Sequence, residues 1–243
     1  MKIFRSASML LVLVTAHYAV ADPDDSIFTT YSENGERQID FRLGAINRSG
    51  QATQSASTLG YGYGVTDYWF SELYVGYVRS GSGGTDFDSA ALENTFRLTD
   101  DQSPVEIGLY TEVEYEADRN AGYQITFGPL LQGDIGLTKL NFNLLFQRNY
   151  LADFPNPMQL GYQWQIKHHW NFPVDFGLQG FGEFGQWDHW APRDEQSHRL
   201  GPAIFGKVNL GEHRVINYNA AILFDAFDQQ HATTFRTQVV YGF

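Results

Sequence analysis

The sequence predicts an all-β chain: a transmembrane antiparallel up-and-down β-barrel of about twelve strands. Three observations predict it. Apolar and polar residues alternate over stretch after stretch of about ten positions, the period of a strand with two unlike faces rather than of a helix. The connections between these stretches alternate between short and long. Aromatics make up 16% of the 243 residues, with 24 Gly but only 8 Pro and no Cys, a composition that suits strands and close backbone approaches. No apolar run approaches the roughly 18 residues of a spanning helix.

Taken in order, residues 1–21 read as an export signal. Lys2 and Arg5 precede the apolar Met9–Val14 run, and Ala19-Val20-Ala21 offers small residues at a cleavage site ahead of Asp22. Residues 22–243 are then a single barrel domain. Alternation is weak but present at 37–47, 55–65, 70–79 and 88–98. It is clearest at 105–117, where Val105, Ile107, Leu109, Thr111, Val113, Tyr115 and Ala117 share one face. Glu106, Gly108, Tyr110, Glu112, Glu114 and Glu116 share the other. A weaker stretch follows at 121–131. Leu140, Phe142, Leu144 and Phe146 then alternate with Lys139, Asn141, Asn143 and Gln147, and Met158 to Ile166 alternate with Gln159 to Lys167. Weaker stretches at 174–185, 197–210 and 214–224 lead to the last, where Phe235, Thr237, Val239, Tyr241 and Phe243 are in phase. Short turns are expected at 66–68, 99–104, 132–136, 169–173 and 211–213. Longer loops are expected at 47–54, 79–87, 116–122, 149–157, 186–196 and 225–233, the layout of a barrel whose termini lie in the periplasm.

The chain carries 16 Lys+Arg against 28 Asp+Glu, a net charge of −12 that becomes −14 once Lys2 and Arg5 leave with the signal. Such acidity excludes a nucleic-acid partner, which needs a surplus of cations against phosphate. The lack of Cys excludes disulfide scaffolds and thiol chemistry. The apolar faces carry aromatics near strand ends (Tyr61, Tyr63, Tyr115, Tyr123, Trp164, Tyr218), as a girdle at a lipid interface would. The polar faces, rich in Gln, Asn, Glu and Gly, suit a wet lumen. Twelve strands enclose more space than an apolar lining fills, so the apolar face is assigned outward, to lipid.

The segments Gly64-Val65-Thr66-Asp67-Tyr68-Trp69, Phe127-Gly128-Pro129-Leu130-Leu131 and Ser197-His198-Arg199-Leu200-Gly201-Pro202-Ala203-Ile204-Phe205 resemble elements of transporter-like outer-membrane barrels of Gram-negative bacteria. The resemblance extends over most of residues 32–243. It implies a barrel grouped loosely with porins and small-molecule transporters without assigned cargo, located in the bacterial outer membrane, and it brings no catalytic residue. The in-phase ending Val239, Tyr241, Phe243 resembles the recognition signal by which the barrel-assembly machinery inserts such proteins, so Tyr241 and Phe243 are the candidate insertion signal. The partners then expected are outer-membrane lipids, that machinery and small solutes; no cofactor is expected.

Charge on the inferred inner wall supplies the candidate pore residues. Glu106, Glu112, Glu114 and Glu116 lie on one strand, Glu93 and Arg97 on the preceding one, and Asp40 and Arg42 on the first. Opposite walls supply Lys139, Lys167, Arg199, Lys207 and Arg236, with Asp175 and Glu183 among them. Two readings stand side by side: charges that pair across the lumen and brace it, or an acidic wall that favours cations. The expected function is a small-solute, porin-like channel; the alternatives are a closed structural barrel or a hydrolase at the outer rim. The best rim candidates, Asp188-His189 and Ser197-His198, are sequence neighbours, which rarely reach catalytic hydrogen-bond geometry. The adjacent His168 and His169 face opposite sides of a strand and make no natural ligand pair, while His189 and His231 fall in loops, His213 in a short turn and His198 near the start of a strand.

Overall fold

The computed structural model describes residues 23–81, 83–100, 102–211, 214–226 and 232–243; the signal-peptide reading of residues 1–21, together with His213 and His231, lies outside them. Twelve strands run through the described residues: β1 (Arg37–Asn47), β2 (Gln54–Thr66), β3 (Trp69–Ser80), β4 (Asp86–Arg97), β5 (Val105–Glu116), β6 (Tyr123–Ile135), β7 (Thr138–Tyr150), β8 (Gln159–His168), β9 (Val174–Gln186), β10 (Ser197–Asn209), β11 (Val215–Asp225) and β12 (Thr233–Gly242). Each pairs antiparallel with its sequence neighbours, and β1 pairs β12, with Gln38 opposite Gly242, to close the ring. Closure leaves no strand edge unpaired, as a bilayer requires.

One expectation is corrected. Residues 132–136 are not the turn between the sixth and seventh strands. Alternation continues, with Gln132 inward and Leu131 and Ile135 outward, and Asp134 pairs with Lys139 before the turn at 136–137.

Burial follows the alternation with the sign reversed from a soluble core. Leu59, Leu73, Leu92, Val113, Phe142, Ile222 and Phe235 are exposed, on the outside. Asp40, Arg42, Glu72, Glu93, Glu112, Asn143, Gln179, Arg199 and Arg236 are buried, on the inside. Aromatic rings on the outer face lie over glycines on the facing strand. Trp164 covers Gly180, Tyr162 covers Gly182 and Tyr218 covers Gly206, each pair directly opposite in register. Such pairing fills the hole left by a missing side chain and pins the register.

Two prolines interrupt the ladders. Pairing of β6 with β7 skips from Phe127–Phe146 to Leu130–Asn143, across Gly128-Pro129. Pairing of β10 with β11 skips from Leu200–Phe224 to Ala203–Ala221, across Gly201-Pro202. Proline has no N–H to offer the neighbouring carbonyl. The freed carbonyls of Leu144 and Ile222 lie 1.8 and 1.9 Å from where a Cβ on Gly128 and Gly201 would stand, so only glycine fits there.

The lumen is not simply wet. Residues 23–34 lie inside the barrel, along its inner wall. On one side of it Phe181, Ala203, Phe205, Ala221 and Leu223 form an inward apolar cluster against which Ile27 packs.

Candidate functional site

The lumen is organised by three sets of contacts. The first is a charge cluster on β1, β3, β4 and β5. Glu72, Glu93 and Glu112 stand directly opposite one another across adjacent strands, a row of three carboxylates that repel. Arg42 faces this row: its Nη1 lies 3.0 Å from Glu93, its Nη2 3.8 Å from Glu72 and its Nε 2.7 Å from Asp40. Its guanidinium also lies over the Tyr74 ring. The Tyr110 hydroxyl donates to Glu112. One cation therefore serves three carboxylates, and Glu112 is held by a neutral donor.

The second is a belt of side-chain hydrogen bonds. Gln132 donates to Glu106 (3.2 Å), Asn141 to Gln132 (2.7 Å), Gln165 to Asn141 (3.3 Å) and Gln179 to Gln165 (2.7 Å). Arg236 Nη1 closes the run by donating to Gln179. An amide both donates and accepts, so a row of them from four neighbouring strands can bridge an anionic wall to a cationic one. The lumen is polarised across its width: glutamates on β3–β5, Arg199 and Arg236 on β10 and β12.

The third is the segment 23–34. From the end of the barrel that holds the short turns, Asn34 N–H donates to Asp67 and Ser32 Oγ to the Thr66 carbonyl. Thr30 donates to Glu106 at 2.5 Å. Phe28 stacks on Tyr110 with ring centroids 3.9 Å apart, while Asn143 donates to its carbonyl. Arg199 Nη2 reaches Asp25 at 3.3 Å, Thr58 donates to Asp24 at 2.6 Å, and the Pro23 carbonyl lies over Gly44. The wall is cut to receive it. A Cβ on Gly44 would stand 2.0 Å from Pro23 O, one on Gly64 1.8 Å from Glu33 O, and one on Gly108 3.0 Å from Thr30 Cγ2.

Beyond this segment, toward the end with the long loops, lies a cavity of about 370 Å³. Asp24, Asp25, Ser26 and Phe28 contribute to its lining; Asp88, Glu93, Glu112, Glu114, Glu116 and Glu183 line its wall with Tyr74 and several glutamines. Glu114 accepts from Gln124 at 3.2 Å and Glu116 from Asn149 at 2.7 Å.

Of the candidate pore residues, Arg42, Glu93, Glu112, Glu114 and Glu116 come together at this vestibule. Arg199 touches the segment. Arg236 is buried under the belt, stacked over Phe181. Glu106 lies lower, holding Thr30. The rest do not join them. Arg97 sits over Tyr68 and donates to the Asp67 carbonyl at the turn. Lys207 is exposed, Lys139 pairs with Asp134 at 3.7 Å, and Lys167 lies over the Phe205 ring. Tyr241 and Phe243 stack on one another, and Phe243 exchanges backbone hydrogen bonds with Arg37 at the seam. His198 bonds Tyr162 and Gln196 and is ringed by Phe184, so its nitrogens are engaged away from Ser197. Among the described residues no group of three or more His, Asp or Glu is placed to hold a metal ion.

Sequence reasoning missed Glu72, Asp25, Phe28, Thr30 and Gln179. Gln179 was findable, being a polar side chain in phase on its strand. Residues 23–34 show no alternation and carried no signal of an internal position.

No protein-family model matches the chain, and no curated protein matches its sequence. Solved structures match its fold. The NanC porin is 11% identical with a TM-score of 0.59, the match covering 83% of this chain and 98% of that one. An outer-membrane channel from Pseudomonas putida F1 is 12% identical with a TM-score of 0.57, over 92% and 99%. The KdgM porin in complex with disordered oligogalacturonate is 9% identical with a TM-score of 0.56, over 85% and 99%. At such identities the likeness is one of architecture: this chain has the fold of outer-membrane β-barrels.

Proposed function

We propose that this outer-membrane barrel passes small solutes, and that its acidic vestibule favours groups of positive charge. The supporting observation is the carboxylate-lined cavity above the lumen segment. Glu112, Glu114 and Glu116 face it from one strand, and among the described residues Arg42 is the one cationic side chain on its lining. A ring of fixed charge beside a low-dielectric wall concentrates counter-ions and repels co-ions. Porin and channel barrels of like fold support the reading. In a planar bilayer under a salt gradient, the reversal potential is expected to report cation preference. Glu112→Gln with Glu114→Gln is expected to shift it toward zero; absence of preference, or of any shift, rejects the acidic-wall reading.

A closed structural barrel is the second reading, favoured by residues 23–34 lying in the lumen and by the bracing of Arg42. A folded, heat-modifiable barrel that carries no current, with or without residues 23–34, selects it. Export by residues 1–21, and recognition of Tyr241 and Phe243 by the assembly machinery, belong to the same proposal.

A further inference from the structure

Arg199, which holds Asp25, and Arg236, two strands away in the ring, carry guanidinium donors that nothing uses. Arg199 is 3% exposed and Arg236 1% exposed, among the most enclosed side chains of the barrel. Arg199 gives Nη2 to Asp25 at 3.3 Å, yet its Nε has no hydrogen-bond partner. Arg236 gives Nη1 to Gln179, while its Nε and Nη2 have none. Burying a guanidinium donor without a partner is costly, so such donors on the inner wall signal a site built for an acceptor. Arg presents a planar fork suited to two parallel bonds with a carboxylate, and a single bond at 3.3 Å leaves that capacity unused. Asp25 is acted on by the charges of Arg199, Arg236 and Arg42, and its side chain stays 30% exposed toward the vestibule.

We propose that Arg199 and Arg236 form a carboxylate-binding site in the lumen, occupied here by Asp25 of the chain's own segment, and that the entering ligand is a small zwitterionic carboxylate of the amino-acid type. The vestibule supplies the second half of the recognition. A bare anion would have to pass Asp88, Glu112, Glu114 and Glu116, whereas a solute carrying an ammonium group beside its carboxylate is attracted by them and delivers its carboxylate to the arginines. The cavity of about 370 Å³, within the roughly 300–1,000 Å³ of small-molecule sites, is lined by Asp25 but not by Arg199 or Arg236, so the ligand's carboxylate reaches the arginines by taking the place of Asp25. Asp25 is then an internal competitor: a ligand that takes the arginines releases the upper part of the segment. The assignment rests on the channel reading only for why such a ligand reaches the lumen.

The sequence has no cysteine, so Ser26→Cys, at a buried position beside Asp25, gives a unique thiol. Its rate of labelling by a membrane-impermeant maleimide is measured on the full-length barrel with added glycine, acetate or glycinamide at matched ionic strength. Glycine is expected to accelerate labelling severalfold and saturably, acetate less, and glycinamide, which lacks the carboxylate, not at all. Asp25→Ala in the same background is expected to label fast without ligand, and Arg199→Gln to abolish the response to glycine. Equal acceleration by glycinamide, or no response to glycine, overturns the site. A saturable glycine response in a barrel that carries no current keeps the site and rejects the channel reading. A conducting barrel with no response does the reverse.

Discussion

Arg42 is the residue on which most of the lumen's charge depends. With side-chain exposure of 9% it serves Asp40, Glu72 and Glu93, and Gln238 adds a further bond to Asp40. Removing one partner of a buried ion cluster leaves the others desolvated and uncompensated, which costs about 3–5 kcal/mol. Arg42→Gln is therefore expected to lower the unfolding free energy of the detergent-solubilised barrel by that amount, read as a lower urea midpoint with the unfolding slope unchanged. A change within experimental scatter shows that water or a counter-ion neutralises the glutamates. At this scale the sequence was partly readable. Glu112 and Glu114 were legible because their strand alternates without interruption. Glu72 was not, because β3 carries Phe70, Tyr74 and Val78 in phase with it, so polarity marks neither face. Asp25 was invisible, since a segment bonded through a backbone carbonyl, one ring stack and isolated polar contacts has no period to detect.

At the scale of the element, the two Gly-Pro pairs show how a sequence rule and a structural role meet. Proline is usually kept out of central strands because it breaks a ladder bond. Here Pro129 and Pro202 stand mid-strand on the outer face, and the glycine before each makes room for the displaced carbonyl. Gly201→Ala would set a Cβ 1.9 Å from Ile222 O, a backbone atom that cannot step aside. It is expected to destabilise the barrel by about 1–3 kcal/mol, as overpacking does, read by the temperature at which the folded band is lost on an unheated gel. Survival of that temperature would mean that β10 and β11 can part there without loss. The strands themselves were legible nearly to the residue. The main slip is the turn expected at 132–136, where β6 instead runs on, with Gly133 an outward strand position opposite Leu140.

At the scale of the whole molecule, the inner segment divides the lumen into a vestibule and a filled lower half. Deleting residues 23–34 is expected to raise single-channel conductance severalfold while the barrel stays heat-modifiable. A lock gives the converse. The Cβ position of Gly108 lies 3.0 Å from Thr30 Cγ2, close to the spacing of a Cβ from the far sulfur of a disulfide, so Thr30→Cys with Gly108→Cys can cross-link. Oxidation is expected to hold conductance at its lowest and reductant to restore it; equal currents in both states show that the segment does not limit passage. The polar inner face and twelve-strand ring were legible because they repeat. The filling of that ring was not, because it is made once.

The positions of the segment's partners also bear on the order of folding. Asp25 meets Arg199, 174 residues away, and Phe28 meets Gln163, 135 residues away, while Thr58, Glu106 and Asn143 come from three further strands. No subset of neighbouring hairpins supplies this surface, so its loop-closure entropy is repaid only when the ring is nearly whole. Docking of residues 23–34 therefore comes late in assembly, and the nascent barrel passes through a stage in which its inner arginines meet water before they meet Asp25.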